Sequence, residues 1–179
     1  MSETKILHDI CKFSEDKSAR YYLGKSGENK LFVIGLNPST ATQYDSDTTI
    51  AKVEQVAKKN KYTGFVMLNL YPKIETNPKD LSEISDPTLI EQNKQYIIEI
   101  AKLENNLTFW AAWGNDIVNR NYFGKSLKSI AIAMKCRNVN WLHYGNLTKK
   151  GHPRHPSRLS YEWHFQKFNI FQYIENLCQ

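Results

Sequence analysis

Apolar residues gather in four runs along the chain, Leu31 to Leu36, Phe65 to Leu70, Leu107 to Trp113 and the shorter Val139 to His143. The first three lack the strict polar alternation of a half-exposed strand. They therefore predict strands covered on both faces, as in a parallel or mostly parallel sheet. Helical spacing fills the intervals. Asp47 stands as a cap before Ile50, Val53, Val56 and Ala57, and Asp86 with Pro87 stands as cap and first-turn proline before Ile90, Ile97, Ile100 and Ala101. A third helix is expected from about Asn115 to Met134 and a fourth from Tyr161 to Leu177. Strand and helix in alternation predict a three-layer α/β/α domain with right-handed crossovers. Residues 1–24 are expected to add a helix or an edge strand, and the long polar stretch Pro72 to Pro87 a rim or lid.

Length and composition keep this picture and narrow it. At 179 residues one domain spanning 1–179 is expected, burying roughly 70% of its unfolded surface. Hydrophobic residues at 41% and charged residues at 23% argue against disorder or a fibrous repeat. No run of about 18 apolar residues occurs, and the start MSETKILHDICKFSEDK has neither a signal-peptide core nor transit-peptide character, so a cytoplasmic protein with no membrane partner is expected. Cys11, Cys136 and Cys178 are odd in number and widely spaced, which supports neither a disulfide framework nor a metal cluster. The net charge of +6 attracts phosphate polyanions without naming one.

Ligands of open α/β sheets bind beyond the carboxyl ends of the strands. The residues at those ends share one chemistry: Gly35-Leu36-Asn37-Pro38-Ser39-Thr40, Asn69-Leu70-Tyr71-Pro72, Trp113-Gly114-Asn115, and the basic loop Lys149 to Arg158 containing His152, Arg154 and His155. Asn37 alone reads equally well as a turn former. Asn69 follows a fully apolar run, where a buried amide needs partners, whether from a ligand, a loop or water. Histidine in the basic loop suits donation to a developing anion, and Arg154 and Arg158 suit phosphate oxygens. No metal or cofactor is expected, because the histidines lack ligand spacing and Asp47 serves as a cap. Nucleophile-elbow, Walker and dinucleotide fingerprints are absent from the sequence.

These motifs identify the chain as a member of the family called domain of unknown function 1643. The resemblance rests on Arg20-Tyr21, Leu36 to Ala41, Asp47 to Ile50, Asn69-Leu70, Asn93, Ala112-Trp113-Gly114 and Gly151 to Pro156, and implies no particular activity. More distantly, the chain resembles the uracil-DNA glycosylase superfamily. Gly35-Leu36-Asn37-Pro38 is similar to the turn of its mismatch-specific branch, Met67-Leu68-Asn69 to its base-reading strand, and His155-Pro156-Ser157-Arg158-Leu159-Ser160 to its H-P-S-P-L-S loop, with Arg158 where that loop has proline.

That likeness implies a uracil-DNA-glycosylase-like fold in which Asn37 orients a water, His155 stabilises a departing base, Asn69 reads the base edge and Tyr44 or Tyr71 stacks on it. Asn37 cannot take a proton, so such an enzyme would be slow. Three readings follow. One is an N-glycosidic-bond hydrolase acting on a base in DNA or on a nucleotide. Another is a non-catalytic module for a nucleotide or modified base. The third is a hydrolase or transferase of another phosphorylated small molecule, held by Ser39, Thr40, Arg154 and Arg158. Short basic clusters without a long stripe lean toward the small ligand over DNA.

Overall fold

A computed structural model describes residues 5–177 of the chain. It contains a seven-stranded sheet and four α-helices. The strands are β1 (Ile10–Phe13), β2 (Arg20–Lys25), β3 (Lys30–Gly35), β4 (Gly64–Asn69), β5 (Leu107–Ala111), β6 (Val139–Tyr144) and β7 (Phe165–Lys167). The helices are α1 (Thr48–Lys59), α2 (Pro87–Lys102), α3 (Asn121–Ala133) and α4 (Ile170–Leu177).

The strand order is β1-β2-β4-β3-β5-β6-β7. The four central strands are parallel, whereas β1, β2 and β7 are antiparallel additions at the two edges. A mostly parallel sheet is therefore true of the centre only. Of the helix or edge strand expected of residues 1–24, residues 10–25 supply the edge strand, as a hairpin; the first four residues of that segment lie outside the described residues, as does Cys178.

Both faces of the central strands are apolar because both are covered. Leu31, Val33, Phe65 and Met67 pack with Ile50, Val53, Val56 and Ala57 of α1. Their neighbours Phe32, Ile34, Val66 and Leu68 pack on the opposite face with residues of α2, α3 and α4. That opposition follows from the two-residue period of a strand. The expected caps form: Asp47 accepts from the Ile50 amide at 2.8 Å, and Asp86 accepts from Thr88 at 2.8 Å ahead of Pro87.

Two helix expectations need correction. The third begins as a 3-10 turn at Asn115–Asn119, is interrupted by an extended Arg120 (φ −142°, ψ 130°), and only then becomes α3. Arg120 turns back to donate to the carbonyls of Lys79, Leu81 and Ser82, which fixes the Pro72–Pro87 segment as a tied rim. The fourth is broken by β7, where Phe165 pairs with Tyr144 on the free edge of β6. Non-local ladder bonds there override the local helical spacing.

Candidate functional site

In register, Gly35 lies opposite Asn69 and Ile34 opposite Ala111, so the central strands finish on one edge. A cleft of about 830 Å³ opens there, lined from β2, the turn after β3, the start of α1, the turn after β5 and the loop after β6. The size suits a small organic ligand. Five basic side chains, Arg20, Lys149, Lys150, Arg154 and Arg158, face three acidic ones, Asp47, Glu75 and Asp116. Among the described residues no His, Cys, Asp or Glu cluster could hold a metal ion.

Asn37 lines this cleft, and its amide nitrogen donates to the carbonyls of Pro38 (3.1 Å) and Glu75 (2.7 Å). Both amide hydrogens are thus engaged, and what Asn37 has left is its carbonyl oxygen, an acceptor only. The same bonds fasten the rim segment to the end of β3.

His155, also in the lining, is the complement. Its Nδ1 lies 2.8 Å from the Ser157 hydroxyl and accepts from the Ser157 amide at 3.3 Å. An Nδ1 that accepts assigns the proton to Nε2, leaving that N–H as the donor of the ring. Burial pushes the pKa of His155 below 6.5 against the pull of Asp47 and Asp116, and Arg158 pushes the same way. The imidazole is therefore neutral at pH 7. The turn carrying it is held to α1 by Lys52, whose ammonium donates to the Ser157 carbonyl at 2.9 Å.

His152 has a different task. Trp113 Nε1 donates to the Tyr173 hydroxyl at 3.0 Å, so that hydroxyl turns its own proton to His152 Nδ1 at 2.8 Å. Burial pushes Tyr173 up to about 12, keeping it protonated. This buried chain bolts the basic loop to the turn after β5 and to α4. Of the two loop histidines, one is structural and one faces the cleft.

Ser39, Arg154 and Arg158 line the cleft. Arg154 is oriented by a bond from Nε to the Asn146 carbonyl (2.8 Å) and stacks 5.1 Å over the Trp163 ring. Four other candidates fall outside the lining. Asn69 is 0% exposed beneath the turn. With its nitrogen turned toward acceptors, it donates to the carbonyls of Asn37 (3.3 Å) and Leu68 (3.2 Å). It is a support for Asn37, not a reader of ligand edges. Its own carbonyl accepts from buried Asn93 at 2.8 Å, which joins α2 to the strand end. Tyr71 is buried against Tyr122, and its hydroxyl accepts from the Asp86 amide at 3.1 Å, so its ring has no free face for stacking in the cleft. Tyr44 and Thr40 are exposed and do not line the cleft.

The sequence reading passed over Arg20 as a site residue. It opens β2, lines the cleft and is only 2% exposed. Nη1 donates to the Ala41 carbonyl at 2.6 Å, while Nε is buried with no partner. Burial lowers its pKa to about 10, partly opposed by Asp47, so it remains a cation at pH 7. The two do not form an ion pair. At about 4 Å and an effective dielectric near 20 their attraction would be about 4 kcal/mol and falls with distance, against a desolvation cost of several kcal/mol for a buried charge. The one sequence signal was its place in the Arg20-Tyr21 dipeptide, one of the pieces on which the family resemblance rests.

A layered α/β protein with one polar, net-basic cleft at the carboxyl edge of its parallel strands is the class defined by this geometry. The chain belongs to the family described as protein of unknown function (DUF1643), whose model matches residues 20–157 and so spans Arg20, Asn37 and His155. Comparison with curated proteins and with solved structures finds no match.

Proposed function

We propose that the cleft binds a nucleotide or nucleotide-like phosphate ester and hydrolyses its N-glycosidic bond, the chemistry implied by the distant likeness to uracil-DNA glycosylases. The observation carrying this reading is the pairing of an acceptor-only Asn37 with a neutral, Nε2–H-donating His155 in one cleft. Asn37 Oδ1 holds a water by accepting one of its hydrogens. The water oxygen bonds to the anomeric carbon as the carbon–nitrogen bond breaks. The bonding pair leaves with the base, whose developing anion accepts from His155 Nε2–H, and the proton lost by the water passes to solvent. Neutral histidine is a suitable donor because it stabilises the leaving group without first needing to be protonated.

Base discrimination in this scheme does not come from Asn69, Tyr44 or Tyr71, which are spent or outside the cleft. The basic excess of the lining supports recognition through phosphate. That excess also favours the second reading, hydrolysis or transfer on another phosphorylated small molecule.

The test is titration of the protein with nucleobases, nucleosides, nucleoside monophosphates and short single-stranded DNA, with base release followed in the same samples. Slow release from a monophosphate or DNA, lowered about 10- to 100-fold by His155→Ala, supports hydrolysis, since a hydrogen bond to charge is worth about 1.5–3 kcal/mol. Binding without release replaces the hydrolase with a recognition module. Failure of the whole panel to bind overturns the nucleotide reading.

A further inference from the structure

Arg20 is a charge buried in the cleft wall without an ion-pair partner, and its Nε is unsatisfied. An uncompensated buried cation is costly, and an unsatisfied buried group in a native protein calls for a partner, such as an ion, to complete it. The groups next to the cleft on neighbouring elements are also open. The hydroxyls of Ser39, from the turn after β3, and Thr49, from the first turn of α1, both line the cleft and make no hydrogen bond among the described residues.

We propose that Arg20 is the anchor of a phosphate seat, built with the Ser39 and Thr49 hydroxyls and closed on the solvent side by Arg154 and Arg158. The proposal rests on the nucleotide reading above and assigns where its phosphate goes. A tetrahedral phosphate presents several acceptor oxygens at once, which matches a guanidinium fork and two hydroxyls better than a single carboxylate does. The Ala41 carbonyl fixes one end of the guanidinium, so the fork is pre-oriented before the ligand arrives.

The charges facing Arg20 divide as they should for such a seat. Asp47, the acid whose charge bears on Arg20, has one carboxylate oxygen committed to the α1 cap through the Ile50 amide. Glu75 and Asp116 belong to the rim segment and the turn after β5, while Lys149, Lys150, Arg154 and Arg158 come from the loop after β6. His155 remains neutral. The net field over the cleft is positive, and the most deeply buried cation is Arg20.

The experiment is calorimetric titration and thermal melting of the wild type, Arg20→Met and Arg20→Lys with inorganic phosphate, ribose 5-phosphate, a nucleoside, its 5′-monophosphate and a short single-stranded DNA. The wild type is expected to bind the monophosphate at least about tenfold more tightly than the nucleoside, and Arg20→Met to lose that advantage while its nucleoside affinity stays within about twofold. Arg20→Lys is expected to recover part of it, as charge without the fork. The unliganded Arg20→Met protein should melt no lower than the wild type, because a buried unpaired charge has been removed. An Arg20→Met protein that melts lower yet keeps the full phosphate preference would make Arg20 a structural strut and overturn the proposal.

If that variant does not fold, Ser39→Ala and Thr49→Val carry the test. Each is expected to weaken monophosphate binding by about threefold or more, and unchanged affinity in both sinks the seat. Equal affinity for nucleoside and monophosphate overturns the seat but leaves glycosidic hydrolysis standing. Binding of ribose 5-phosphate without base discrimination or release does the reverse. DNA matching the monophosphate would place a backbone diester, not a terminal phosphate, against Arg20.

Discussion

A Cβ built on Gly114 would stand 3.2 Å from the Cβ of His155. The glycine has φ +74°, and the turn after β5 passes so close to the basic loop that a side chain there would require the loop to give by a few tenths of an ångström. The WGN turn and the histidine loop, about forty residues apart in the chain, are thereby seated directly against each other. Gly114→Ala combines left-handed backbone strain with this contact, at a cost of about 1–2 kcal/mol. The variant should unfold at lower denaturant, with weakened ligand binding because His155 is pushed aside; unchanged stability and affinity together would mean the two loops do not meet this way.

Asn69 leads to an outcome opposite to the one its place after an apolar strand first suggests. As a base reader, its change to Asp would shift preference among ligands. As a buried donor to the Asn37 and Leu68 carbonyls, its change should cost stability instead. Asn69→Ala is expected to lose about 1–3 kcal/mol, and Asn69→Asp more, since a carboxylate would face two carbonyl oxygens in a dry site. Urea unfolding of both variants measures this, and any residual ligand preference should match that of the wild type.

The tautomer of His155 is directly observable. Nitrogen-15 shifts at pH 7 should show a neutral ring protonated at Nε2 and accepting at Nδ1. Ser157→Ala removes the hydroxyl from Nδ1 but retains the backbone N–H, so the ring should stay neutral yet become more mobile. A ring protonated at Nδ1 would remove its role as donor to the cleft.

Acid should destabilise the fold through three histidines. Burial lowers the pKa values of His143, His152 and His155 from 6.5. The unfolded chain therefore takes up protons first as pH falls. The stability these neutral rings contribute is fully present above pH 6.5 and is lost as pH falls through that value toward the lower folded pKa values. Each histidine adds a slope of up to about 1.4 kcal/mol per pH unit in that window. Denaturant midpoints between pH 7.5 and 5 should fall, with the fall reduced in His155→Gln; a flat profile would contradict the burial of these rings.

What the sequence determined was local. Unalternating apolar runs announce strands covered on both faces, and Asp47 and Asp86-Pro87 begin α1 and α2 where their own side chains cap the first turn. The strand-end amides, the glycine of the WGN turn and the basic histidine loop were equally legible, because parallel topology sends the ends of such strands to one edge.

Tertiary structure decided which of those groups face the cleft. Asn69 is turned under Asn37, Tyr71 has its hydroxyl taken by the start of α2, and His152 is absorbed by Tyr173, each through partners 15 to 32 residues away. Arg20 is a charged residue on an antiparallel strand whose burial depends on the Ala41 and Pro72 segments folding around it. Residues 161–177 carry helical spacing, yet Phe165–Lys167 pair with β6 because its edge was otherwise open. The direction of a side chain beyond a strand end, and the desolvation of a charge, are set by non-local neighbours, and periodicity along the chain does not encode them.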